Sequence, residues 1–452
     1  MQVTRQTTAT DRWGEWALTL ISRVLALMSL VYTLGSLFIY GFLPAKVSLA
    51  FMLLGVENPA GGRMFPPFGD LRWVTALSAC GVDLNDLANK TSQGCDPYGR
   101  AAGLGYPPMS VLFARLLAVK GHHTGLLGFS IGLAVVLVLV LLSRRLVRPE
   151  WLANSLIALM LLGFPMQLGL ERSNIDLVVF VLLCSLAAIS QLPQQWASLP
   201  AAWLAWLAVA IKMYPLVGIT AWVLNSRSAW RQRIWMPLAV LAGTGAGLAG
   251  VWGWYHQSGD LAAAPQDRDI GHGMRVPLTL LRPWLPQDYR LLEDPGQPLL
   301  ALALTLLAFI LLRRQGLHHQ WKLLLQERAS GFELGCLAAM PPLLALAWLG
   351  CYWFSGSFDY RLILALPLLI NACAMLSCNK GMSRWSRGFL ALILLGVVYG
   401  WFAPFFAPLS VVRKLNVVCD LFAMPLFAGA LLALLLEPLP RWHSIRASQA
   451  LK

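Results

Sequence analysis

The sequence predicts an all-α, polytopic integral membrane protein, and three observations lead to this prediction. First, 58% of the 452 residues are hydrophobic and 12% are charged, with a mean hydropathy of +0.63, far from the composition of a soluble domain. Second, many apolar runs are long enough to cross about 30 Å of hydrocarbon. Third, Lys and Arg collect in the short segments between these runs. We expect about ten to twelve crossings within a single integral domain over residues 1–452.

The candidate spans follow from the length of the apolar runs. They lie near residues 17–40, 124–142, 151–170, 174–191, 235–255, 334–354, 362–378, 389–412 and 415–436, with shorter candidates at 200–224 and 298–312. The first run contains Arg23 and lacks a small-residue cleavage site. We therefore expect a retained helix there rather than a signal peptide.

The positions of the basic residues predict the orientation of the chain. Clusters of Lys and Arg occur near residues 144–148, 227–233, 313–328, 380–387 and 441–452. If these clusters face the cytoplasm, residues 41–123 form the first extracytoplasmic loop and residues 256–297 the second. Residues 355–361 and 409–414 then also face outward. The net charge of +14 suits anionic lipid headgroups, and we expect no nucleic-acid partner.

One region does not fit a simple count of crossings. Three apolar stretches separate the basic cluster near residue 144 from the one near residue 227, although two cytoplasmic loops require an even number of crossings. One stretch must therefore be a hairpin or a re-entrant segment. We expect it at 200–224, because Lys212-Met213-Tyr214-Pro215 interrupts the run: Pro removes a backbone donor and Lys is costly in lipid.

The eight cysteines show neither CxxC pairs nor metal-ligand spacing, so we expect no metal site. Cys80 and Cys95 both fall in the first outward loop. An oxidising compartment would allow them to form a disulfide, and free thiols are the alternative.

The first outward loop contains several polar and aromatic motifs. These are Phe68-Gly69-Asp70-Leu71-Arg72-Trp73, Cys95-Asp96-Pro97-Tyr98-Gly99-Arg100 and Tyr106-Pro107-Pro108. In a chain with so few polar residues, a loop of this kind indicates a catalytic or ligand-binding site. The Asp96 to Arg100 motif either shapes an acceptor pocket or braces the loop, since Asp-Pro and Tyr-Gly are common turn sequences.

Further charged residues occur at or near membrane depth, where each costs about 2.5 to 3.5 kcal/mol to insert. Glu171-Arg172-Ser173-Asn174-Ile175-Asp176 lies between two apolar runs. Glu171 and Arg172 could be solvated at the interface, whereas Asp176 should face a polar cavity or an internal partner. Lys212 either pairs with Asp176 or contacts a ligand directly.

Two outward segments complete the set of candidate polar motifs. In Ser357-Phe358-Asp359-Tyr360-Arg361, Asp359 and Arg361 could form an interfacial ion pair. Arg361 could instead bind a lipid phosphate, because its planar guanidinium binds phosphate oxygens in pairs. In Gly271-His272-Gly273, the flanking glycines would allow a ligand to approach the backbone closely.

In their order along the chain, these motifs resemble a glycosyltransferase of the GT-C superfamily, closest to glycosyltransferase family 87, the polyprenyl-phosphate-mannose-dependent mannosyltransferases and their bacterial relatives. The resemblance spans Asp70 to Arg361. It implies a fold of many helices with the active site at the outer, periplasmic face of the bacterial inner membrane. It also implies a polyprenyl-phosphate sugar donor, with mannose as the family default, and a lipid or glycan acceptor.

The resemblance further implies that an acidic residue of the first outward loop is the catalytic base, and Asp70 matches that position. A carboxylate within hydrogen-bond reach can remove the acceptor hydroxyl proton as the oxygen attacks the anomeric carbon. A single displacement of this kind inverts that carbon. Asp83 and Asp86 are the competing candidates for the base.

The leaving polyprenyl phosphate gains negative charge in the transition state, so cations and donors should surround it. The candidates, in order of preference, are Arg361, Lys212, Arg172 and His272. The remaining pocket candidates are Arg72, Tyr106, Glu171, Asn174, Asp176, Asp359, Tyr360, Asp96 and Arg100. We expect no cofactor or metal, because side chains can neutralise a monophosphate and no carboxylate pair is spaced like a Mg²⁺ site.

Two other classes of protein would also use buried charges of this kind. A transporter or flippase for a lipid-linked sugar would use them as proton relays or substrate ligands, and should show repeated broken helices. An envelope polysaccharide ligase or polymerase takes sugars from diphosphate-linked carriers and should gather several arginines around an outward site. A non-catalytic scaffold is a further alternative, which requires neither a transport pathway nor an arginine-rich site.

Overall fold

The fold is almost entirely helical, as the sequence predicts. A computed structural model describes residues 9–42, 68–79, 114–212, 214–225, 271–272, 293–354, 357–378, 382–402 and 410–436. Within these ranges the only strands are two residues long each.

The helices are named here in chain order. The first eight are α1 (Ala9–Phe42), α2 (Gly69–Ala79), α3 (Thr124–Leu146), α4 (Glu150–Leu162), α5 (Phe164–Arg172), α6 (Ile175–Ile189), α7 (Gln194–Ile211) and α8 (Pro215–Asn225). Strand β1 (Gly271–His272) precedes α9 (Glu293–Arg314), α10 (Leu317–Arg328) and α11 (Gly331–Phe354). Strand β2 (Ser357–Phe358), a 3₁₀ helix (Asp359–Ala365), α12 (Leu366–Ser377), α13 (Arg384–Phe402) and α14 (Ser410–Leu435) follow.

The predicted apolar runs coincide with these helices wherever the structure describes them. Residues 235–255, and residues 403–409 of the run 389–412, lie outside the described residues. By length and composition, four described helices can cross a membrane: most of α1, α3 with its preceding turn, α11 and α13. The count becomes six if α4 with α5, bent by 50°, and α9 with α10, bent by 61°, are each one span. The expected ten to twelve crossings stay a prediction.

Two segments predicted as loops are helical. Residues 69–79 form α2, whose inward side contains Leu71, Val74 and Thr75, the spacing of one helical face. Residues 317–328 form α10 after Gly316, which has a positive φ of 70°. Both helices are short and polar for membrane segments, so hydropathy alone did not predict them. The face that each helix buries depends on neighbouring helices.

The bundle has two chemically different ends. At the end that we call the basic end, Arg145 in the last turn of α3 pairs with Glu333 at the start of α11. There Arg313 of α9 donates to the backbone carbonyl of Leu436 after α14, and Arg328 of α10 contacts Cys378 Sγ after α12 at 3.7 Å. Helix α11, with 24 residues, is about 36 Å long at 1.5 Å per residue and connects this end to the opposite one, the site end.

The chain reverses direction at the predicted break between α7 and α8. Lys212 follows α7 and pairs with the first turn of α6. Helix α8 then runs back along α11, because the Tyr214 carbonyl lies beside Gly350 while Gly218 lies against Leu343. Helix α8 has 11 residues and is about 16 Å long. This reversal agrees with the hairpin expected in the third apolar stretch, and the number of crossings there stays a prediction.

Candidate functional site

Asp176 is the centre of a buried charged cluster at the site end. Its Oδ2 accepts a hydrogen bond from Arg361 Nε at 3.2 Å, and Lys212 Nζ lies 4.0 Å from Oδ1. The hydroxyl of Tyr214 also donates to Oδ1. The Asp176 side chain is 3% exposed and those of Lys212 and Arg361 are each 11% exposed. This confirms that Asp176 faces internal partners.

The turn between α5 and α6 fixes Asp176. Ser173 ends α5 with a φ of 43° in the left-handed region, which turns the chain sharply. Asn174 is the N-cap of α6, and its Oδ1 accepts the backbone N–H of Asp176 at 2.9 Å, the usual role of an Asn cap. The motif therefore places a carboxylate in the first turn of a helix with its backbone already bound.

The break after α7 supplies the second pair of side chains. Lys212 has extended backbone as the C-cap of α7, and α8 begins at Pro215, directly after Tyr214. Gly350 of α11 allows close approach at this point: a Cβ there would lie 3.1 Å from the Tyr214 carbonyl oxygen. Tyr214 and Lys212 thus meet Asp176 from the apex of the hairpin.

Arg361 comes from the 3₁₀ helix, which packs against α5, α6 and α11. Its guanidinium carbon lies 5.9 Å from the centre of the Tyr214 ring, within the range of a cation–π contact. Strand β2 directly precedes this helix and pairs antiparallel with β1, with His272 opposite Ser357. The backbones of His272, Asp359 and Tyr360 therefore lie near the start of the helix that contains Arg361.

Helix α2 is attached to the same region at both of its ends. The backbone N–H of Phe68, just before α2, donates to the Glu171 carbonyl at 2.6 Å. At the far end, Thr75 Oγ1 and Thr124 Oγ1 share a hydrogen bond of 2.7 Å, and Ser78 Oγ donates to the Val119 carbonyl at 2.6 Å. Asp70 is the second residue of α2, so its backbone lies two residues from the attachment to Glu171.

Phe68 anchors the start of α2. It is fully buried, with a positive φ of 60°, and its ring meets that of Tyr40 edge-on at 6.1 Å. A Cβ on Gly128 of α3 would come within 2.6 Å of the Phe68 ring. A bulky residue with φ above zero is unusual, and here packing on both sides of the ring holds it.

The structure brings six of the nominated residues together. Glu171, Arg172, Asn174, Asp176, Lys212 and Arg361 are buried or nearly so in one region, and Arg72 lies half-buried on α2. The side chains of four other members, Asp70, His272, Asp359 and Tyr360, lie outside the described part of the structure. Whole residues outside it are Tyr106, Asp96 and Arg100 of the set, and also Cys80, Cys95, Asp83 and Asp86.

Two residues of this cluster were not expected from the sequence. Tyr214 had a signal, because it sits in the break beside Lys212. Cys351 of α11 is fully buried and lies near Arg361, Asp176 and Lys212. It had no signal, because a cysteine in an apolar helix resembles any small hydrophobic residue.

The cluster combines two cations with one carboxylate in a setting from which water is largely excluded. Electrostatic interactions are stronger there than in water, so the arrangement can bind a small anion such as a phosphate group. Among the described residues, no group of three or more His, Cys, Asp or Glu could hold a metal ion.

Comparison with known proteins gives little further information. No protein-family model matches the chain and no curated protein matches it. Among solved structures, the chain is similar to the apo crystal structure of ArnT from Cupriavidus metallidurans, at 14% sequence identity and a TM-score of 0.34, covering 90% of this chain and 76% of that one. A similarity this low carries no argument about fold or activity.

Proposed function

We propose that the protein is a membrane glycosyltransferase of the GT-C type, which transfers a sugar from a polyprenyl-phosphate donor to a lipid or glycan acceptor. Mannose, the default of family 87, is the proposed sugar. The proposed reaction is an inverting single displacement in which Asp70 removes the acceptor proton. The proposed location is the bacterial inner membrane, with the active site on the periplasmic side and one integral domain over residues 1–452.

The convergence of the motifs is the observation that supports this function best. Arg361 and Asp176 are 185 residues apart in sequence and form a buried ion pair. The hairpin apex adds Lys212, and the backbone bond from Phe68 to Glu171 attaches the helix that carries Asp70. Four motifs chosen for their chemistry thus meet at one end of the bundle, opposite the basic end.

The proposed roles follow from charge. Arg361 and Lys212 would bind the donor phosphate and stabilise the negative charge that develops as the bond to the sugar breaks. Arg172 and His272 are further phosphate ligands in this proposal. The residues Arg72, Glu171, Asn174, Asp359 and Tyr360 would line the pocket, and Tyr106, Asp96 and Arg100 would do so from the first outward loop.

The decisive experiment measures donor choice. Full-length protein in nanodiscs would receive radiolabelled polyprenyl-phosphate mannose or, separately, a diphosphate-linked oligosaccharide, with an envelope lipid extract as acceptor. We expect transfer of label and release of polyprenyl phosphate only from the monophosphate donor. Turnover of only the diphosphate-linked sugar would instead establish a ligase or polymerase.

The same assay tests the base. Asp70→Asn should lower transfer by about 100- to 10,000-fold, because a general base contributes that much, while expression and donor binding stay close to wild type. Asp83→Asn and Asp86→Asn are matched controls in the same outward loop and should keep most of the activity. Normal transfer by Asp70→Asn would assign the base to another residue.

Broken helices favour a second candidate, a flippase or transporter for a lipid-linked sugar. The α7 and α8 break puts charges at the ends of two half-helices, and α4 and α5 are bent by 50°, features that substrate sites of transporters share. Movement of a fluorescent lipid-linked sugar across proteoliposomes distinguishes the two functions. A transporter would show movement without sugar transfer, and Asp70→Asn would reduce that movement.

A further inference from the structure

We infer that Asp176 is the counter-charge that matches the phosphate site to the single negative charge of the donor, and that Asp176 positions Lys212 and Arg361 rather than binding the sugar. This inference depends on the proposed function, because the same two cations are proposed to hold the lipid phosphate.

The protein itself engages both oxygens of the Asp176 carboxylate. Oδ2 accepts Arg361 Nε at 3.2 Å, and Oδ1 faces Lys212 Nζ at 4.0 Å and accepts the Tyr214 hydroxyl. The backbone N–H of Asp176 is bound to Asn174 Oδ1 at 2.9 Å. A carboxylate held in this way, with a side chain that is 3% exposed, is suited to orient Lys212 and Arg361 rather than to bind the sugar directly.

Charge is the second part of the argument. Two cations and one carboxylate give these three side chains a net charge of one positive unit. Glu171 and Arg172, buried in the same region, carry opposite charges and leave this sum unchanged. The donor, a sugar joined to a polyprenyl phosphate, is a phosphodiester with one negative charge. The cluster and the donor phosphate are therefore complementary in charge, whereas two cations without Asp176 would favour a phosphate with two negative charges.

The reaction changes the charge of the bound phosphate. The acceptor oxygen forms a bond to the anomeric carbon and gives its proton to the base. The bond from that carbon to the phosphate oxygen breaks, and its electron pair stays on the oxygen. The product is a phosphate monoester with a charge of about −1.5 to −2 at neutral pH. A site with an additional net positive charge would bind this product more tightly and release it more slowly.

Asp176→Asn tests the inference, because the substitution keeps the shape of the side chain and removes its charge. We expect affinity for a polyprenyl monophosphate, measured by calorimetry with the full-length protein in nanodiscs, to rise at least about tenfold. The kcat for transfer should fall and inhibition by added polyprenyl monophosphate should increase. If Asp176 bound the sugar instead, donor KM would rise and product affinity would not.

Two matched variants separate charge from structure. Glu333→Gln removes the same charge from the exposed pair at the basic end, so product affinity should stay within about twofold of wild type. Asp176→Asn combined with Lys212→Met restores the net charge and should reverse most of the gain in product affinity. It should also recover thermal stability, because Asp176→Asn alone leaves two buried cations without their counter-charge and should lower Tm by about 5 °C.

The outcomes separate this inference from the proposed function. Unchanged or weaker product binding by Asp176→Asn overturns the inference even if the wild type transfers sugar. A wild-type protein that binds no polyprenyl monophosphate overturns the proposed function. In that case inorganic phosphate decides the role of Asp176: greater thermal stabilisation of Asp176→Asn than of wild type supports a counter-charge, and equal or smaller stabilisation overturns it.

Discussion

Each end of the bundle contains an ion pair between an arginine and a carboxylate, which is buried at the site end and exposed at the basic end. At the site end, Arg361 meets Asp176 through side chains that are 11% and 3% exposed. At the basic end, Arg145 meets Glu333 through side chains that are 48% and 44% exposed, with Nη2 and Oε2 2.8 Å apart. Arg23 and Glu150 form a similarly exposed pair between α1 and α4.

The difference in burial gives the two ion pairs different effects on stability. Water and salt screen the exposed pairs, which contribute about 0 to 1 kcal/mol in general. A buried pair loses its hydration and must be compensated by geometry and further bonds, and removing one partner is strongly destabilising. The basic end therefore suits orientation and contact with headgroups, while the site end holds charges that only a ligand or an internal partner can satisfy.

The largest difference between the two ends should follow from removing the arginine of each pair. Arg361→Ala should weaken donor affinity by about 10- to 100-fold, the equivalent of one hydrogen bond to a charged group, and should weaken donor affinity more than acceptor affinity. Arg145→Ala should leave both within about twofold. Binding isotherms and KM values for donor and acceptor give the measurement, and an equal loss of both at Arg361 would indicate a structural role.

Backbone packing offers a second comparison, with an intermediate effect. A Cβ on Gly218 would lie 2.2 Å from the Leu343 carbonyl oxygen and 3.2 Å from the Ala347 backbone nitrogen, so Gly218→Ala must push α8 away from α11. We expect a loss of about 1 to 3 kcal/mol together with reduced transfer, because α8 begins beside Tyr214.

Gly388→Ala is the control for that comparison, since nothing lies within 4 Å of a Cβ at this helical position near the basic end. Alanine is the better helix former, so Gly388→Ala should be neutral or slightly stabilising. Melting temperatures in one detergent compare the two variants, and equal Tm values for both would contradict the close contact between α8 and α11.

The smallest effect should come from the exposed pair. A double-mutant cycle of Arg145→Ala and Glu333→Ala should give a coupling free energy of about 0.2 to 1 kcal/mol that decreases as salt increases. Denaturation in detergent at two salt concentrations measures this coupling. A value well above 1 kcal/mol that does not depend on salt would show that the basic end is as shielded as the site end.

The residues that the sequence could identify were those whose presence in lipid is costly. Asp176, Lys212 and Arg361 interrupt apolar runs, and that cost alone marked them as internal or functional. The same reasoning found the break after α7, because Lys and Pro occur together there. Cys351 was missed because a cysteine is not costly in an apolar segment, and Tyr214 was missed although its position beside Lys212 indicated it.

Helices α2 and α10 show a second limit of the sequence. Each is held by contacts far along the chain: α2 by the bond from Phe68 to Glu171, and α10 by the bond of 2.9 Å from Trp321 Nε1 to Asn371. Hydropathy is a sum over neighbours in sequence, so it cannot detect a helix whose buried face depends on such partners.

The sequence by itself determined the helical architecture with its apolar spans and the identity of the costly charges, because insertion into lipid depends on local composition. The orientation that its basic clusters imply stays a prediction. Only the tertiary structure decided which charges are partners. Arg361 bonds Asp176 across 185 residues of chain, because a hairpin, a left-handed turn at Ser173 and close glycine contacts bring distant segments to the same depth. Pairing in a dry interior is a property of distance in space, which a linear sequence does not specify.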